Sequence, residues 1–161
     1  MNSRIFLFIL YFQYLLKRVK DLLQLGVWIG GYSLVALAIG SLWIPKVLGW
    51  REKLAGLPPL MREMWWTYSA YVWGSHVFFA VLLLGFGDWL MGGTGAAMAM
   101  NTFMLLWWGG RLWLQFFGFD LGEIGKARFH CVAKHLLSAL FIGLVVLFAG
   151  LLCWNVFLHS P

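Results

Sequence analysis

Long apolar stretches near residues 22–44, 66–90, 96–117 and 131–158 alternate along the chain with short segments that hold nearly all of its charge. Each stretch has about the 20 residues that a helix needs to cross the hydrocarbon core of a bilayer. The pattern predicts an all-α integral membrane protein, a four-helix transmembrane bundle with one or two interfacial amphipathic helices. Residues 22–161 would form a single transmembrane helical domain, and residues 1–21 an N-terminal interfacial segment. The connections, 45–65, 91–95 and 118–130, are too short to hold a soluble catalytic domain with its own core. Met91-Gly-Gly-Thr-Gly95 suits an antiparallel helical hairpin.

Turn-forming and amphipathic residues refine this outline. Ile5 to Leu16 is apolar for 12 residues, about 18 Å of helix against a core of about 30 Å, so it is expected to lie at the interface. Its cations Lys17, Arg18 and Lys20 follow the apolar run, whereas a signal peptide places them ahead of it. Gly30-Gly31 offers a break point in the first long stretch, where the alternative of a re-entrant hairpin, which would put all eleven flanking cations on the cytoplasmic side, would turn. After Pro45, a short helix from Trp50 to Leu57 is expected to turn Trp50, Leu54 and Leu57 to lipid and Arg51, Glu52 and Lys53 to water, ending at Pro58-Pro59. Gly26, Gly30, Ser33 and Gly40 share one helix face, as do Ala139, Gly143 and Gly150, and small residues at that spacing permit close helix contact. Trp43, Trp50, Trp65, Trp66, Trp89 and Trp154 fall near the expected membrane boundaries, where amphipathic rings belong.

Composition agrees with the pattern: 62% of residues are hydrophobic and 11% charged, too few charges to coat a water-soluble fold of this size. The net charge of +6 does not point to nucleic acid, because the cations flank the spans as topology signals do. With four spans and the N-terminus outside, seven of the eleven flanking Lys and Arg face the cytoplasm, and the opposite orientation leaves four there. Both termini are therefore expected outside. Cys131 and Cys153 lie on one expected helix, about 33 Å apart, beyond disulfide reach.

Few groups could carry chemistry. Arg111 interrupts an apolar helix about 9 Å from its expected end, where it can snorkel to headgroups, pair with Asp120 or Glu123, or hold an anion such as a lipid phosphate. Gln115 follows one turn later on the same face. Lys126, His130 and Lys134 recur every four residues with Arg128 nearby, a basic face suited to anionic lipid. His76 is expected near mid-bilayer, neutral and bonded to a neighbouring helix. It is also the candidate ligand for haem or contact for quinone, with His135 as its partner, although His135 should lie shallower. Asp88 and Asn101 could bond across the hairpin. The nucleotide, zinc-protease, redox and hydrolase motifs are missing, and so are the buried carboxylates of transporters.

The stretches Trp50-Arg-Glu-Lys-Leu54 and Arg111-Leu-Trp-Leu-Gln-Phe-Phe-Gly-Phe-Asp120 resemble those of bacterial membrane proteins. That resemblance implies a multi-pass protein of the inner (plasma) membrane and no particular activity. Scarce buried polarity makes the leading expectation non-catalytic: a structural, assembly or accessory subunit of a larger membrane complex. Its partners would be a membrane protein or a second copy, with anionic lipids on a basic cytoplasmic rim. The alternatives are a redox-chain component binding quinone or haem through His76, with Arg111 and His135 nearby, and a lipid-acting enzyme using Arg111.

Overall fold

The computed structural model describes the backbone of residues 3–118 and 128–159, and the side chains of all of these except residues 3, 5, 6, 128–131, 133 and 159. Every regular element among them is helical: α1 (Ser3–Ser41), α2 (Ile44–Val47), α3 (Trp50–Lys53), α4 (Pro59–Leu90), α5 (Gly95–Trp113) and α6 (Arg128–His159). Three are long and apolar enough to cross a membrane, over Leu7–Ser41, Pro59–Leu90 and Lys134–Leu158. The expected third span, 96–117, is α5, a 19-residue helix that gives way to a π-type turn at Leu114–Gly118. Two adjacent glycines, an arginine and Asn101 dilute its apolar character.

The chain divides into two compact units, residues 1–27 with 87–161, and residues 28–86. Both α1 and α4 run through the two of them. The α1 helix has 39 residues, about 58 Å, and is unbroken both at residues 21–22 and at Gly30-Gly31, so the first stretch does not turn back on itself. The α4 helix is interrupted at Phe86 (φ −130°, ψ 24°), between Gly85 and Gly87, where paired glycines commonly permit a kink.

In the first unit the tightest pairing is α5 with α6. Ala97, Asn101, Met104 and Trp108 bury one stripe of α5; Ser138, Phe141, Leu144, Phe148, Leu151 and Asn155 bury one of α6. Both stripes step by three and four, the spacing that keeps one helix face on its neighbour. Trp108 meets Phe141 with ring centroids 5.4 Å apart. Of the expected small-residue faces only part makes contact. A Cβ at Gly26 would meet Leu147 Cδ1 at 2.9 Å, and one at Gly150 would meet Leu23 Cδ2 at 3.1 Å, but Gly40 and Gly143 face open space. Ala139 is also exposed.

In the second unit, residues 28–41 of α1 run antiparallel to α4. Gly31, which is not on the expected stripe, makes the close approach: a Cβ there would lie 2.6 Å from Leu84 Cγ and Cδ2. At the other end α1 finishes with a tightened turn, Leu42 N–H donating to Ile39 O at 3.2 Å. That leaves the Ala38 carbonyl among the unmatched acceptors of the last turn. Ser41 Oγ donates to it at 2.9 Å and the Trp73 indole N–H at 3.0 Å. Trp73→Phe removes the interhelical donor and is expected to cost about 1 kcal/mol, read as a lowered unfolding midpoint in mild detergent; an unchanged midpoint would mean that Ser41 alone satisfies the carbonyl.

The segment between α1 and α4 departs from expectation. Only one turn of helix, Trp50–Lys53, forms where an eight-residue amphipathic helix was expected, because Gly49 sits in the left-handed region (φ 62°) and Ala55 and Leu57 close on Glu52 and Leu54 through tight turns. Leu54, expected to face lipid, is buried at 7% exposure.

Candidate functional site

The expected site residues are divided between the two units and the undescribed segment 119–127. His76 is buried at 4% exposure in the second unit, on the α4 face that also buries Phe79, Ala80 and Leu83. His135 belongs to the first unit and is exposed. Lys134, beside it, is half-buried. Lys126, Asp120 and Glu123 lie outside the described residues, as do the side chains of Arg128 and His130. Among the described residues no three His, Cys, Asp or Glu side chains gather to hold a metal ion.

Arg111 lies near the junction of α5 with the π-type turn. The α-helix ends at Trp113, so Arg111 occupies the last turn, where a cation complements the helix dipole. Its guanidinium carbon lies 5.9 Å from the centroid of Trp107, one turn back, and Trp107 in turn packs on Phe103 at 6.0 Å. This cation–π ladder is worth about 0.5–2 kcal/mol. Half-buried Gln115 falls within the π-type turn that follows.

Two clusters stand out instead. The first is the segment joining α1 to α4. Trp50 packs edge-on against Trp65 at 5.4 Å and against Trp66 at 5.9 Å, tying the single turn of α3 to the start of α4. In the same segment Lys46, Arg51, Lys53 and Arg62 are all exposed, as are Glu52 and Glu63. Indoles beside cations form the signature of a headgroup-level surface.

The second is a polar knot in the first unit that sequence reasoning missed. Asn155, fully buried, accepts from Gly93 N–H at 2.9 Å through Oδ1 and donates from Nδ2 to the Leu90 carbonyl at 2.7 Å. Asn101, also fully buried, donates to the same carbonyl at 2.9 Å, in place of the expected bond to Asp88, which is exposed. The turn between α4 and α5 is built around these bonds. Gly93 takes φ 69°, and a Cβ there would meet Leu158 Cβ at 3.1 Å, while Thr94 caps α5 by accepting from Ala97 N–H at 3.2 Å. Asn155 was findable as the lone amide in the apolar stretch 131–158, where buried polarity always requires a partner.

No family model, curated protein or solved structure matches this chain.

Proposed function

We propose that the protein is a structural or assembly subunit of a larger membrane complex, with α5 crossing as a fourth helix beside α1, α4 and α6, and a basic cytoplasmic rim for anionic lipid. At about 28 Å, α5 nearly matches the hydrocarbon core. The observation that carries the reading is the N-terminal part of α1. From Leu7 to Leu15 its residues are exposed on every face, Leu7 at 63% and Phe8 at 69%. A helix of about 58 Å is nearly twice as long as the core is thick, and nothing bends α1 near Lys17 to lay the apolar end along the interface. Leaving such a surface in water forfeits about 25 cal/mol for each Å², so a hydrophobic partner should cover it.

Blue-native electrophoresis after mild detergent extraction tests this. The wild type is expected above the monomer position with a copurifying membrane protein. The triple variant Phe8→Ser, Phe12→Ser, Leu15→Ser, which alters one exposed face, is expected to drop to the monomer. A higher band holding this chain alone would identify the partner as a second copy. A bare wild-type monomer would overturn the reading.

A further inference from the structure

In the second unit, α1 and α4 touch closely at Gly31 and Leu84. Alongside that contact and the Trp73–Ala38 hydrogen bond they leave an open groove of about 490 Å³, lined by Val35 and Ile39 of α1, Leu42 just beyond it, and Trp73, Val77 and Val81 of α4 among others. The volume lies within the range of about 300–1,000 Å³ typical of small-ligand sites. Its walls are hydrocarbon. The indole N–H of Trp73 is already given to the Ala38 carbonyl, so this ring offers the groove an apolar face and no donor. Along α4 the lining runs from Trp73 to Gly85, about 18 Å of helix, which suits an extended alkyl chain and gives a polar head nothing to bind.

A head would find its counterpart at one end only. Leu42, the first residue past α1, is followed four residues later by Lys46, and the segment holding the Trp50, Trp65 and Trp66 cluster exposes Lys46, Arg51, Lys53 and Arg62 against two carboxylates, Glu52 and Glu63. Buried Leu54 anchors this segment. An apolar channel ending beside cations and indoles matches an amphiphile with a long chain and a negative head. We propose that the α1–α4 groove holds one acyl chain of an anionic phospholipid, whose phosphate lies on the Lys46 and Arg51 side of the connecting segment. The proposal rests on the membrane reading given above and assigns its lipid to a definite site.

Native mass spectrometry of the full chain in detergent doped with equal amounts of phosphatidylglycerol and phosphatidylcholine of the same chain length tests it. The wild type is expected to retain one phospholipid, with phosphatidylglycerol favoured about tenfold, the effect of one to two nearby cations. Val77→Trp and Val35→Trp, made separately at exposed lining positions, fill the groove and are expected to abolish retention of both lipids. Lys46→Gln with Arg51→Gln is expected to leave one lipid bound and erase the preference. A wild type that holds no lipid, shows no preference, or loses neither lipid when a folded groove variant is tested overturns the proposal. If both tryptophan variants fail to fold, the Lys46/Arg51 variant decides: a preference that survives in it overturns the proposal. Recovery of the wild type in the aqueous fraction without detergent would instead overturn the membrane reading. A detergent-dependent protein without lipid would leave that reading standing.

Discussion

Asn155→Leu is expected to lower the unfolding free energy by about 2 kcal/mol, because it strands Gly93 N–H, and a buried donor without a partner costs about 1–3 kcal/mol. Asn101→Leu should cost less than about 1 kcal/mol. The Leu90 carbonyl keeps Asn155 as a donor in that variant, and the substitution also removes Asn101 Oδ1, a buried acceptor that meets no donor among the described residues. Together the two substitutions leave the carbonyl bare, so the double variant is expected to lose about 1 kcal/mol more than the sum of the singles. Unfolding titrations in mild detergent give all three values. Strict additivity would show that the shared carbonyl does not couple the two amides.

Gly31→Leu is the second large effect. A side chain there must displace Leu84, whose Cγ and Cδ2 stand 2.6 Å from the Cβ position, with Leu83 Cβ 3.4 Å away. Overpacking of this kind costs about 1–3 kcal/mol. The same measurement on Gly40→Leu supplies the contrast, since nothing lies within 4 Å of a Cβ at that position. Its midpoint is expected to hold or rise, because leucine is favoured over glycine inside a helix by about 1 kcal/mol. Equal losses at both sites would remove the α1–α4 contact as the cause.

Sequence periodicity located the helices because apolar residues dominate them for 20 residues or more, but it misjudged what happens at their ends. The α1 helix runs through Lys17, Arg18 and Lys20 without a break, since charged residues are good helix formers and only proline or paired glycines would have stopped it. Gly30-Gly31 did not stop it either, because Gly31 is filled from outside by Leu84. The same ambiguity hid the contact surface. Gly26, Gly30 and Gly40 form a regular stripe in the sequence, yet which glycine receives a neighbour depends on where the partner helix crosses, and spacing within one helix does not encode that. His76 was legible as a buried imidazole, and it is buried. The change of helix type beyond Arg111 was not legible: α-geometry ends at Trp113 and a π-type turn carries the helix on to Gly118. Loss of α-geometry at a π-type turn leaves no proline or charge to announce it.

The Leu90 carbonyl and Gly93 N–H receive their Asn155 partner from more than 60 residues further along the chain. A nascent chain that has threaded only as far as α5 therefore carries an unfinished corner, with Asn101 its sole amide clasp. Arrival of α6 closes it, so a helix made later locks the geometry of a turn laid down long before it.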